Sequence, residues 1–268
     1  MAHVYTLANA KGGCGKSTVA LNLAICFAKN GQRTLAIDLD QQGNLSAALG
    51  ADLNELKFTT HWLLINGSAD ISTCLVEARP RLKLLPNTID IQADDLLEAV
   101  KVNRELLLKR KLRPVLRDFD IVLIDTPPAM RAATLNGLAV ADTILIPVDS
   151  SSFALLGLTQ LLQVIAAIRE AHQPDLAIRP LSTMFNRRQN LDKQIRMEIE
   201  RFFGPDLVLQ TVIHKNVDIP QAAAIQKGVV EYSSIAQGSF DFTKLTHELV
   251  QELEDEQEAA QHAVHQSQ

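Results

Sequence analysis

DIVLID (120–125) and TILIPV (143–148) are apolar at nearly every position, and these runs constrain the fold more than anything else in the chain. A strand with one wet face alternates apolar and polar residues. A strand without that alternation is covered on both faces, as in a parallel sheet. VYTLAN (4–9), TLAID (34–38), LKLLP (82–86), LAIRPLSTMF (176–185) and LVLQTVI (207–213) read as further strands. Between them lie helical patterns such as STVALNLAICFAKNG, closed by Asn30-Gly31, and FALLGLTQLLQVIAAIREA (153–171). This alternation predicts an α/β fold: a doubly wound, mostly parallel sheet with helices on both faces. No linker, repeat or low-complexity segment divides the 268 residues, so one domain is expected over 1–250. An acidic, polar tail over 251–268 is expected to fray.

The first strand runs straight into ANAKGGCGKST (8–18) and then into a helix. Glycines let backbone N–H groups converge on an anion, and the helix behind them points its positive end at it. The phosphate-loop pattern is G-x-x-x-x-G-K-[ST]. Gly15-Lys16-Ser17 fits its second half, but Ala10 stands where the first glycine belongs, and Lys11 is a cation the ordinary pattern does not require. Lys16 would reach the β- and γ-phosphates, and the Ser17 hydroxyl would sit on Mg²⁺. Gly12, Gly13, Cys14, Gly15 and Thr18 complete the expected cradle.

Magnesium needs a carboxylate at the end of a neighbouring buried strand. DIVLIDTPP supplies Asp125, and TLAIDLDQQGN brings Asp38 and Asp40 to the same sheet edge. A strand-end Asp can also cap a helix, but three of them beside a phosphate loop favour metal and water positioning.

KGGCGKST, DLDQQGN and DTPP together resemble the ParA/MinD family, the deviant Walker A ATPases of bacteria. The likeness extends to LIPVDSSSFALLGLTQLL and IHKNVDIPQAAAIQKG. It implies a P-loop ATPase that hydrolyses ATP with Mg²⁺ and dimerises around it. By resemblance Lys11 reaches the phosphates held by the partner subunit while Lys16 holds the chain's own. Asp40 orients the attacking water, Asp38 and Asp125 support Mg²⁺, and Asn186 and Pro220 contact adenine. Gln41 replaces the proline of the family's DPQGN, which alters loop stiffness rather than chemistry.

A net charge of −5 excludes a uniformly basic protein but not a local basic face. ParA-like members bind DNA without sequence preference when dimerised. Lys215 matches a DNA-contacting family position, and His214, Arg187, Arg188 and Arg196 are candidates to extend its patch. KVNRELLLKRKLRPVLR (101–117) is a second basic stretch, equally readable as a solvated helix face. The acidic C-terminal segment argues against a MinD-like membrane helix, which needs a basic face. No apolar stretch suits a bilayer span and no leader is apparent, so a cytoplasmic, nucleoid-associated protein is expected. Cys14, Cys26 and Cys74 lack C-x-x-C spacing, which argues against a disulfide framework or an intrachain metal cluster. The resemblance implies an adaptor that stimulates hydrolysis and a cargo, either a plasmid or chromosome or a protein body such as a carboxysome. A nucleotide-dependent dimeric scaffold and a MinD-like membrane-surface regulator are the alternatives.

Overall fold

In the computed structural model, which describes residues 2–89, 91–150, 156–186 and 188–266, the apolar runs pair into one sheet. Its strands are β1 (His3–Leu7), β2 (Thr34–Asp38), β3 (Val76–Arg79), β4 (Leu82–Leu85), β5 (Ile121–Asp125), β6 (Thr143–Asp149) and β7 (Ala177–Thr183). Their order among the described residues is β3-β4-β2-β5-β1-β6-β7. Every pairing is parallel except β3 with β4. β3 was not foreseen: as a half-exposed edge strand of four residues it lacks the apolar run that marks the others.

The helices are α1 (Lys16–Lys29), α2 (Asn44–Ala48), α3 (Thr60–Ile65), α4 (Ile91–Ala99), α5 (Leu107–Leu112) and α6 (Ala132–Val140). They continue as α7 (Leu156–Ala171), α8 (Asn190–Phe203), α9 (Asp218–Ala224), α10 (Val229–Tyr232) and α11 (Gln237–Gln266). Residues 153–155 of the segment expected to be helical from 153 lie outside the described residues, as do 151 and 152 before it.

The unbroken apolar pattern of β5 follows from its two covers. Ile121 and Leu123 join the core beneath α1 and α11, while Val122 and Ile124 join the opposite core with α3, α5 and α6. Each such side chain contributes about 1.5–3 kcal/mol on leaving water. α1 is itself roofed: Val19 through Ala28 are all buried between the sheet and the C-terminal helices. Within it the Asn22 carboxamide is satisfied, donating to Thr18 O (2.8 Å) and accepting from Val229 N–H (2.7 Å). β1 lies between β5 and β6, so the connections diverge on either side of it, and the crevice above its carboxyl end is where such folds bind ligands.

Two expectations are corrected. LVLQTVI (207–213) forms no regular strand. Leu209 and Ile213 donate N–H bonds to Pro180 O and Ser182 O of β7, but the amides of Gln210 and Thr211 between them are taken by the Glu248 carboxylate on α11 (2.5 and 2.9 Å). The segment therefore covers the edge of β7 without extending the ladder. The stretch expected to fray from 251 continues α11 to Gln266. Leu245, Leu249 and Leu253 recur at four-residue spacing against the core, and Glu252 pairs with Arg179 of β7 (3.0 Å).

Candidate functional site

The chain leaves β1 at Leu7, turns through residues 8–15 and enters α1 at Lys16. Gly13 (φ 75°) and Gly15 (φ 96°) take left-handed backbone, which would strain any other residue by about 1–2 kcal/mol. Ties to the sheet fix the loop's shape. Asn9 Nδ2 donates to Pro147 O of β6 (2.7 Å), and Asn9 Oδ1 accepts Lys11 N–H (2.9 Å). From β7, Thr183 Oγ1 donates to Cys14 O (2.8 Å). Cys14 is buried, its thiol donating to Lys11 O (3.3 Å), and burial pushes its pKa up, so it is a packing residue of the loop.

The two lysines of the loop have different surroundings. Lys16 is buried, with Nζ donating to Asn9 O (3.1 Å) and Lys11 O (3.2 Å), so its ammonium lies under the loop it would serve. Lys11 is partly exposed and points toward β6, where Nζ meets Asp149 Oδ1 at 2.6 Å and also contacts Oδ2.

Asp38 and Asp125 close β2 and β5 as register partners, both fully buried. Burial is the largest influence on each. It raises Asp38 to about 7, opposed by hydrogen bonds from Ser46. It raises Asp125 well above the carboxylate range, reinforced by the charge of Asp38 and only partly offset by the Ser17 hydroxyl and Lys16. Their surroundings then differ. Asp38 Oδ2 accepts from Ser46 N (2.9 Å) and Ser46 Oγ (2.7 Å), and Oδ1 accepts from Asp40 N (3.0 Å), so Asp38 organises the loop after β2. Neither buried oxygen of Asp125 has a hydrogen-bond partner among the described residues. Such a carboxylate needs a cation or a bound water, and with Ser17 beside it the pair fits one magnesium ion that takes its other ligands from phosphate and water. Asp40, two residues beyond the end of β2, is buried, its Oδ1 accepting Gln42 N–H (3.0 Å).

A cavity of about 260 Å³ adjoins the loop, lined by Gly15, Thr18, Met184, His214, Lys215 and Pro220 among others. The structure thus joins Pro220 to the phosphate loop across 200 residues of sequence. Asn186 is absent from that lining. Its Oδ1 accepts Arg188 N–H (3.1 Å), and its backbone N–H donates to the Asp192 carboxylate.

The basic residues separate sharply. Lys215 is exposed, and its N–H donates to Phe185 O (3.0 Å), which brings it to the corner that carries exposed Arg188. His214 is turned inward, contrary to the DNA-facing expectation: Asp241 accepts from its backbone N–H (2.8 Å) and lies 2.9 Å from Nδ1. Arg187 lies outside the described residues. Arg196 is held by Glu200 (2.9 Å) and Leu209 O (3.3 Å). In the 101–117 stretch, Lys111 Nζ donates to three carbonyls, those of Asn66, Gly67 and Ala69, and Arg104 pairs with Glu98. Lys101, Arg110, Arg113 and Arg117 remain on the surface.

Sequence reading did not single out Asn9, Thr183, Ser46, Asp149 or Asp241. Only Asp149 carried a legible signal, since it ends a buried strand just as Asp38 and Asp125 do.

A family model described as an AAA domain matches residues 2–178. The chain is 32% identical over 250 residues to the sporulation initiation inhibitor protein Soj of Bacillus subtilis, covering 93% of this chain and 98% of that protein. It is 32% identical over 260 residues to the chromosome partitioning protein ParA of Caulobacter vibrioides, covering 96% and 97%. Among solved structures, the cobyrinic acid a,c-diamide synthase of Mycobacterium smegmatis with bound ADP and magnesium superposes with a TM-score of 0.82. It shares 28% identity, over 95% of this chain and 96% of that one.

Proposed function

This chain belongs to the ParA-like family of P-loop ATPases, and from that membership we propose that it works as an ATP-gated dimer that binds DNA and positions a cargo. It is an ATPase of the partition type, using ATP with Mg²⁺. The observation that carries the proposal is the placement of two lysines on one loop: Lys16 buried beneath it and Lys11 directed outward to its flank.

Phosphoryl transfer is catalysed chiefly by position and charge. Lys16 holds the chain's own β- and γ-phosphates, and Lys11 supplies positive charge to those of the partner subunit. Hydrolysis and dimerisation are thereby tied together, much as an arginine finger ties them. Asp40 accepts from the attacking water and orients it. Asp38 acts through Ser46 and the Asp40 amide to hold that loop in place. Asp125 and Ser17 would hold a magnesium ion, which would supply positive charge against the phosphates. Thr18, Pro220 and the cavity between them receive the nucleoside.

Lys215 and Arg188 form the core of the proposed DNA face. An adaptor carrying the cargo stimulates hydrolysis and releases the dimer. The cargo classes are a plasmid, a chromosome or a protein body such as a carboxysome. A MinD-like membrane reading is disfavoured by α11, whose exposed residues include Glu254, Asp255, Glu256 and Glu258. Among the described residues no helix is long and apolar enough to cross a membrane.

Binding to unrelated DNA with ATP, with ADP and without nucleotide, over a salt series, tests the reading. Tight binding with ATP alone, falling steeply as salt rises, is expected of phosphate contacts. Equal binding in all three states, or none in any, would overturn the DNA track.

A further inference from the structure

The Lys11–Asp149 pair reaches beyond the roles assigned above. Asp149 ends β6, adjacent to β1, and its side chain retains only a sixth of its exposure. Its carboxylate takes the Lys11 ammonium through both oxygens. The loop is built to deliver the lysine there: the Asn9 side chain ties both Pro147 of β6 and the Lys11 amide, setting the backbone from which Lys11 reaches sideways. One ammonium cannot at once sit on its own subunit's carboxylate and on a phosphate across a dimer interface. We propose that Asp149 is a positioning residue that latches Lys11 in cis, and that dimerisation around ATP requires Lys11 to exchange this carboxylate for the partner's phosphate.

This inference rests on the in-trans role of Lys11 given above. The exchange is a competition between two anions for one cation, so Asp149 sets the threshold at which ATP-bound monomers pair. A partly buried ion pair holds closed against open by only a few to one. Binding-competent fractions divide the apparent affinity, and with both subunits latched the open fraction enters squared. An open fraction of about one in three then weakens dimerisation about tenfold.

The test measures dimer dissociation by light scattering with a non-hydrolysable ATP analogue and Mg²⁺. It compares wild type, Asp149→Asn, Lys11→Ala and the double variant, with fluorescent-nucleotide affinity of the monomer measured alongside. Asp149→Asn is expected to dimerise about tenfold more tightly, with monomer nucleotide affinity unchanged, and the gain should vanish in the Lys11→Ala background. Unchanged or weaker dimerisation of Asp149→Asn overturns the latch. So does a gain that persists without Lys11, because that reflects general removal of negative charge. Full-strength dimers from Lys11→Ala overturn the in-trans role itself, and the latch with it. Asp149→Ala provides a second removal of the carboxylate should the asparagine variant fold poorly.

Discussion

Asp38 and Asp125 stand side by side at the ends of β2 and β5, in register and fully buried, yet only Asp38 is furnished with protein donors. Burial is the main cause that raises both carboxyls above the ordinary range, and the charge of Asp38 raises Asp125 further. The sign follows from proton linkage. Between the ordinary carboxylate value of 3.8 and about 7, the folded chain holds a proton that the unfolded chain has released, so stability falls as pH rises through that window. Asp125→Asn removes one of the two buried ionisable groups, so its fall is smaller, with Asp38 still titrating. Without nucleotide or magnesium it should be more stable than wild type at pH 8, by about 1–3 kcal/mol as for relief of an unsatisfied buried group. The advantage should shrink toward pH 5, which lies below the raised pKa of Asp38 and on the protonated side for Asp125. Magnesium with nucleotide should raise the wild-type melting temperature and leave that of the variant much less changed. A stability difference independent of pH would refute the coupling.

Lys16→Ala removes a buried ammonium that donates to the loop carbonyls of Asn9 and Lys11. Charge-assisted bonds to phosphate contribute roughly 1.5–3 kcal/mol apiece. Nucleotide affinity should fall at least about 100-fold in a fluorescent-ATP titration. Retained affinity would remove Lys16 from the phosphate site.

Asp40→Ala separates binding from turnover. The residue is buried and takes the Gln42 N–H from its own loop. Nucleotide binding should stay within about threefold of wild type, while single-turnover hydrolysis falls about 100-fold, as loss of a water-orienting group does. Equal hydrolysis by the two proteins would exclude Asp40 from the chemistry.

These roles rest on unequal amounts of sequence information. The phosphate loop, Asp38 and Asp125 were legible because each is local: an apolar strand announces itself, and the residue at its carboxyl end must lie at the sheet edge. The residues that complete the site come from afar. Asn9 reaches Pro147 and Lys11 reaches Asp149 across 138 positions, and Thr183 reaches Cys14 across 169. No period or motif encodes such pairs before the sheet order is known. The misread strand at 207–213 has the right composition, yet Glu248 on α11 takes two of its amides. His214 looked like part of a basic surface until Asp241, 27 residues on, proved to be its partner. A charge count along a chain says nothing of which charges are already engaged.

Lys215→Ala should keep ATP-dependent dimers and lose DNA. Its side chain is exposed at the corner shared with Arg188, and because it also lines the cavity beside the phosphate loop, nucleotide affinity is measured alongside and should stay within about threefold of wild type. Each phosphate contact removed lowers the salt slope by about one. A variant whose affinity and salt slope match wild type would move the DNA face elsewhere, with Arg110, Arg113 and Arg117 the next residues to change.

Gly43 links the geometry of the Asp40 loop to the strand beside it. Its φ of 64° is left-handed, and a Cβ placed there would come within 2.8 Å of the Asn87 carbonyl and 3.1 Å of Leu53 Cδ1. The carbonyl belongs to backbone held from behind, since Asn87 N–H donates to Ser46 Oγ (2.9 Å), which in turn donates to Asp38. The clash therefore cannot be relieved by a side-chain rotation and must shift the loop. Gly43 N–H also donates to Asp40 O (3.0 Å), so a shift there is passed to Asp40. Gly43→Ala should lower stability by about 1–3 kcal/mol in urea denaturation, the usual cost of forced backbone strain. Hydrolysis should slow more than nucleotide affinity weakens. Gly67→Ala is the matched control, because open space surrounds that position. Were the two variants equally stable and equally active, the loop would be slack, and the alignment of Asp40 would have to come from nucleotide or partner instead of from the fold.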